Sequence, residues 1–150
     1  MTTTNKYDRI FLTNKQRELL NMKVLVLSDG ELKPQEINNT LEDLQKIVGG
    51  YIEIPFLSQK FLEHEIDIII NEEGKFIEGL TPEIAVMKKG TNTILDLVYG
   101  NCIFASHDTE GNTVSLNDKQ MEIVMEELNT DILLSNKEEN KMYFVKALFI

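Results

Sequence analysis

The apolar residues of this chain come in short runs, and that constrains its fold more than any other feature. Val24-Leu25-Val26-Leu27 and Ile68-Ile69-Ile70 are typical, and none extends beyond a few residues. A membrane-spanning helix needs about 20 such residues, so no transmembrane segment is expected. Runs of this length, bounded by turn residues, are what strands buried in a sheet leave in a sequence. Hydrophobic residues make up 42% of the chain and there are only three prolines. That is ample material for a core and excludes a disordered or collagen-like chain. At 150 residues the chain has the length of one domain. No repeat, low-complexity tract or Pro/Gly-rich linker divides it.

Strand, turn and cap signals order the elements. Met22 to Leu27 reads as a strand buried on both faces, Ser28-Asp29-Gly30 as a turn, and Glu31 to Ile37 as the returning strand of a hairpin. Pro34 cannot donate to a ladder, which places that second strand at an edge or bulge. Before them, Thr13 to Leu20 carries a short helix signal with Thr13 as N-cap. The clearest helix spans about residues 40–49. Thr40 caps it, Leu41, Leu44, Ile47 and Val48 form its apolar stripe, and Gly49-Gly50 ends it. Tyr51 to Phe56 reads as a strand. Glu65 to Asn71 reads as another, with Ile66, Ile68 and Ile70 on one face and Asp67 and Ile69 on the other. Thr81-Pro82 suits the start of a short helix. Ile94 to Ser106 holds one or two strands broken at Gly100. A second principal helix covers about 117–129, capped by Asn117 with Gln120 three residues on. Its expected buried stripe is Met121, Val124, Met125 and Leu128. Met142 to Ile150 is apolar apart from Lys146, which fits a docked strand or a homodimer contact. The expected fold is α+β: a mostly antiparallel sheet, one layer, with two principal helices packed on it.

The formal net charge of −10 is unevenly spread. Residues 1–30 carry five basic and three acidic side chains. Residues 108–140 carry nine acids against Lys119 and Lys137, net −7. So strong an acidic bias excludes a general grip on nucleic-acid phosphates. Asp118, Glu122, Glu126 and Glu127 fall on or beside the solvent side of the second helix. They form either an acidic face for a basic protein partner or a solvated, solubilising surface. The single cysteine, Cys102, excludes an intrachain disulfide and suits a reducing cytosol. The first residues, Met1 to Lys6, contain no apolar leader region, so a cytoplasmic location is expected.

No nucleotide-binding glycine loop, paired-cysteine motif or nucleophile elbow is present. Cys102 and His107 invite a nucleophile–base reading, but on one strand they point to opposite faces. Glu63-His64-Glu65 with Asp67 lacks the spacing of a metal site. His107-Asp108 followed by Thr109 to Asn112 reads as a hairpin tip. Gly49, Gly50 and Tyr51 form a corner where backbone is approachable and an aromatic ring lies alongside. They make a ligand-binding corner or a helix stop followed by a core aromatic.

The string from Leu44 to Glu53, Leu-Gln-Lys-Ile-Val-Gly-Gly-Tyr-Ile-Glu, preceded by Met22 to Val26 and followed by Asn71-Glu72-Glu73-Gly74-Lys75, resembles the domain of unknown function 3846 family. Asp96 to Phe104 is similar to that family's second signature: an aspartate, an apolar pair, a glycine and an apolar strand. The resemblance covers roughly residues 22–128 and implies a protein of phages, plasmids or integrated elements of Gram-positive bacteria. It implies no mechanism. Two departures stand out. Gly79-Leu80 runs into Thr81-Pro82-Glu83-Ile84, where the family often has a Pro-Leu-Asn-Arg-like segment. Residues 1–21 precede Met22, where relatives tend to begin, so they are expected to be an N-terminal extension of a single domain over 22–150.

The sequence reading is therefore a non-enzymatic accessory protein with no cofactor and no metal. It binds a host protein, basic or defence-related, and countering a bacterial defence or tuning host metabolism is the expected purpose. The alternative is a small-molecule or nucleotide-binding, signal-sequestering protein, with Gly49, Gly50, Tyr51, Gly79 and Thr81 lining its pocket. Neither membrane association nor direct nucleic-acid contact is expected.

Overall fold

A computed structural model describes residues 21–150. The Thr13–Leu20 helix signal and the N-terminal extension up to residue 20 lie outside the described residues. The apolar run at Met22 becomes β1 (Asn21–Ser28), which pairs antiparallel with β2 (Glu31–Asn38) in unbroken register from Asn21↔Asn38 to Ser28↔Glu31. Asp29 and Gly30 both take positive φ, 52° and 77°, as a tight two-residue hairpin turn requires. β2 is an edge strand, so the missing N–H of Pro34 costs the sheet little.

Thr40 then caps α1 (Leu41–Val48), its side chain accepting from the Asp43 N–H, and Gly49 ends the helix with φ of 84°. Leu44 and Val48 are buried, but Leu41, expected in the apolar stripe, is exposed. The strand expected over Tyr51 to Phe56 is only β3 (Ile52–Glu53), and Pro55, two residues on, cannot donate to a ladder. A short helix without an expected counterpart, α2 (Gln59–Glu63), is capped by Ser58 and buries Phe61. It leads into β4 (Ile66–Asn71).

The stretch at Thr81-Pro82 is a strand, β5 (Pro82–Met87), and not the start of a helix. Every residue of it is buried, and Ile84-Ala85-Val86-Met87 is the continuous apolar run of a strand covered on both faces. β6 (Ile94–Tyr99) and β7 (Cys102–His107) are separated at Gly100, where φ is 83°. β8 (Thr113–Val114), α3 (Asp118–Glu127), β9 (Thr130–Asn136) and β10 (Lys141–Phe149) complete the chain. β9 has no expected counterpart either. Its polar residues Thr130, Asp131, Ser135 and Asn136 surround three apolar ones.

The fold class is α+β, but the strands form two sheets and not one layer. The first, in the order β2-β1-β7-β4-β3 with β8 on β7, is antiparallel throughout. The second, β6-β5-β10-β9, contains a parallel pair, β5 with β10. The apolar C-terminus is thus an interior strand, docked in the sheet.

Three clusters of buried side chains explain the layering. Leu25, Leu27, Ile68 and Phe104 of the first sheet meet Ile84, Val86, Val98 and Leu148 of the second, together with Ile123, Val124 and Leu128 of α3. The opposite side chains of the first sheet, among them Val24, Val26, Ile69 and Ile103, are covered by Leu44 and Val48 of α1. Ala85, Met87, Val145 and Ala147 are buried on the other face of the second sheet. A strand reading of β4 separates Ile66 and Ile68 from Ile69 by parity, and the clusters divide them so.

One buried carboxylate ties the sheets together. Glu83 lies where the β5–β6 register shifts between Pro82 and Ile84. Its two oxygens accept the backbone N–H groups of Asp29 and Gly30, at 3.0 and 2.8 Å. Burial pushes the Glu83 carboxyl above its ordinary range, against the pull of those two bonds.

Candidate functional site

The outward face of α3 is the best-developed candidate. The helix starts where it does because Asn117 and Gln120 satisfy each other. Asn117 Oδ1 accepts the Gln120 N–H at 2.8 Å, and Gln120 Oε1 accepts the Asn117 N–H at 2.9 Å. The same Gln120 side chain is buried and donates through Nε2 to the His64 carbonyl at 2.8 Å and to Ser106 Oγ at 2.9 Å. One residue therefore both caps the helix and pins it to the first sheet. The buried stripe is Gln120, Ile123, Val124 and Leu128, with Met121 only partly covered. Met125, expected inside, is 40% exposed. The core has room for Ile123 where the expected stripe had placed Met125.

Turned away from the core are Asp118, Glu122 and Glu126, four residues apart on one stripe. With Met121, Met125 and Asn129 they border a shallow hollow of about 400 Å³. Glu127 does not join them. Its carboxylate lies 3.9 Å from Lys60 Nζ on α2, a surface pair worth little in stability. The arrangement is unfavourable for the helix itself. Asp118 in the first turn suits the positive end of the helix dipole, but the last turn carries Glu126 and Glu127 and no basic residue. Glu122 and Glu126, one turn apart, also repel each other. Two flexible, polarisable thioethers thus lie among acids on this surface.

The other expected residues have plain structural work. Gly49 adopts the left-handed conformation that ends α1, and the N–H groups of Gly49 and Gly50 both donate to the Gln45 carbonyl, at 2.8 and 3.0 Å. A Cβ on Gly50 would stand 2.9 Å from Asn71 Nδ2. Asn71 is buried, donates to the Val48 carbonyl at 3.1 Å and accepts from the Glu73 N–H at 2.8 Å. The glycine pair is thus accounted for by the cap and by this amide. Tyr51 is 73% exposed and is not a core aromatic; its carbonyl accepts from the Glu72 N–H. Gly79 and Thr81 are exposed on the segment entering β5, where the Thr81 carbonyl accepts from the Gly100 N–H at 3.0 Å. Between these two segments lies a narrow hollow of about 170 Å³ lined by Asn71, Gly74, Phe76 and Tyr99. Gly49, Gly50, Tyr51, Gly79 and Thr81 are not among its lining residues.

Cys102 is fully buried in the inter-sheet core, and burial together with the nearby Glu83 pushes its thiol far above the ordinary range. His107 projects from the opposite face of β7, its Nδ1 2.9 Å from Asp67 Oδ2. The parity of the strand separates the pair, and Cys102 is no thiolate nucleophile. His64 caps the end of α2, and β4 begins only at Ile66. Among the described residues no three His, Cys, Asp or Glu side chains gather as metal ligands. None of the described helices is long and apolar enough to cross a membrane.

Residues 22–129 match the family described as Domain of unknown function (DUF3846). The chain belongs to that family. The match starts in β1 and ends just after α3, so the acidic face lies inside the DUF3846 region, whereas β9 and β10 lie beyond it. The Gly49-Gly50-Tyr51 string is inside it too. So is Glu83, which holds the β1–β2 turn. No curated protein and no solved structure matches the chain.

Proposed function

We propose that this DUF3846 member is a non-enzymatic accessory protein of a phage or mobile element, acting in the bacterial cytosol by binding a host protein with a basic surface. Countering a host defence is the purpose this reading assigns to it. The observation that carries it is the stripe of Asp118, Glu122 and Glu126 beside the exposed Met125 and half-buried Met121 of α3. A helix shaped for stability alone would place cations in its last turn. Acids kept there at a local cost point to a surface retained for an external charge, since functional sites are where such rules are broken.

Salt and charge reversal test this. Capture from host lysate should fall steeply between low and moderate ionic strength, as complementary charge predicts. Glu122→Lys with Glu126→Lys should abolish it, while Glu127→Lys, off the stripe, should matter much less. Capture indifferent to both salt and the double reversal defeats the reading. The nucleotide-sequestering alternative draws support from Tyr51, whose ring stands exposed beside a glycine pair. A ligand there would raise the melting temperature by linkage. No shift across a nucleotide panel, or an undiminished shift in Tyr51→Ala, removes it.

A further inference from the structure

The second sheet carries a hollow that neither the sequence motifs nor the acidic helix accounts for. It measures about 410 Å³ and is walled by Leu97 and Tyr99 of β6 and by Leu134 and Tyr143 of β9 and β10. Leu134 and Tyr143 are register partners on adjacent strands, so their side chains share one face of the sheet. The rim is the β9–β10 turn. Asn136 Oδ1 accepts the N–H groups of Glu138 and Glu139, at 3.1 and 3.3 Å, and this turn brings both glutamates to the hollow. Tyr143 donates its hydroxyl to Glu139 Oε2 at 3.0 Å.

These features select a ligand by chemistry. Two phenol rings stand in a hollow with apolar walls and a polar rim, and a cation over an aromatic face is attracted by the ring quadrupole. Because the Tyr143 hydroxyl is spent on Glu139, that residue presents ring and not donor. Glu138 and Glu139 against Lys137 leave the rim with net negative charge, which disfavours phosphates and carboxylates. The volume lies in the range of single small-molecule sites, roughly 300–1,000 Å³. We infer that this hollow binds a small organic cation with an apolar body, a quaternary or aromatic ammonium, between Tyr99 and Tyr143 under the Glu138–Glu139 rim. The site shares no residue with the α3 face and stands independently of the proposed protein partner.

The test uses a matched pair of probes on the full chain, 3-(trimethylammonio)phenol and its neutral isostere 3-tert-butylphenol, followed by calorimetry and by NMR of the tyrosine rings. The cation should bind and move the Tyr99 and Tyr143 resonances, with the neutral isostere weaker by roughly fivefold or more. Tyr99→Leu and Tyr143→Leu should each weaken the cation about fivefold. Tyr143→Phe, which keeps the ring, should retain most of the binding, and Glu139→Gln should lose part of it. That pair also serves if either leucine variant fails to fold by circular dichroism. Glu122→Lys with Glu126→Lys should leave cation binding unchanged, so this site and the protein-partner reading fail separately. Equal affinity for the two probes, tighter binding of adenosine monophosphate, or no binding up to about 10 mM cation overturns the inference.

Discussion

Glu83 and Gly50 show how much single residues decide here. Glu83 has two acceptor oxygens, each taken by a backbone N–H of the β1–β2 turn. Burial raises its pKa, so its contribution to stability is greatest below the unfolded carboxyl value near 4.5 and is lost as pH rises through the higher folded value. Glu83→Gln removes that titration. The difference in unfolding free energy, wild type minus variant, should therefore shrink as pH rises across this window in a series of urea melts; a constant difference refutes it. Gly50→Ala should cost about 1–3 kcal/mol, because the new methyl displaces Asn71 from its buried bonds to Val48 and Glu73. Thermal denaturation reads this directly. Neither effect shows in the sequence. Gly50 reads there as part of a helix stop or a ligand corner, and Glu83 as one of many acids, because a partner 21 or 54 residues away leaves no local pattern.

At the scale of elements, α3 carries the sharpest prediction. Glu126→Lys removes a repulsion with Glu122 and places a cation in the last turn, where none stands. It should stabilise the protein by about 0.5–1 kcal/mol while weakening capture of a basic partner. Chemical denaturation alongside the salt-series pull-down measures both; a loss of stability with unchanged capture contradicts it. The caps of α1 and α3 were legible. Thr40, Gly49 and the Asn117–Gln120 box sit where their residue types require. The helix faces were legible only in part. An apolar periodicity tolerates a rotation of one residue, so Met125 in place of Ile123 satisfies the stripe, and only the shape of the inter-sheet core separates them. β9 and α2 escaped because they are short or half polar, and β5 because Thr-Pro is as good a helix start as it is a strand start.

For the whole molecule, the decisive feature is that β10 lies between β5 and β9 in the second sheet. Removing residues 141–150 leaves β9 without its strand partner and exposes the inward faces of Ile84 and Val86. The truncated chain should show no cooperative urea transition by circular dichroism; a cooperative melt of ordinary steepness would argue that the family region folds without the second sheet's interior strand. The charge polarity also belongs to this scale. The net −7 of residues 108–140 spans α3 and both flanking segments. The fold divides these acids between the β7–β8 turn, the helix stripe, the pair with Lys60, the β9–β10 turn and Asp131, which meets Lys146 at 2.8 Å.

The sequence alone settled the local matters: the β1–β2 hairpin, the two principal capped helices, the break at Gly100, and the opposite orientation of Cys102 and His107. Each follows from forces acting within a few residues, such as a cap hydrogen bond, a permitted φ, or strand parity. The tertiary structure decided how many sheets there are, that the last strand runs parallel to β5 inside one of them, and which acids share a surface. It also brought Tyr99 and Tyr143 to one hollow from strands on either side of β5. Those outcomes depend on pairings between residues far apart in the chain, whose energy comes from buried area and shape. An apolar run announces that it will be buried, but not against what.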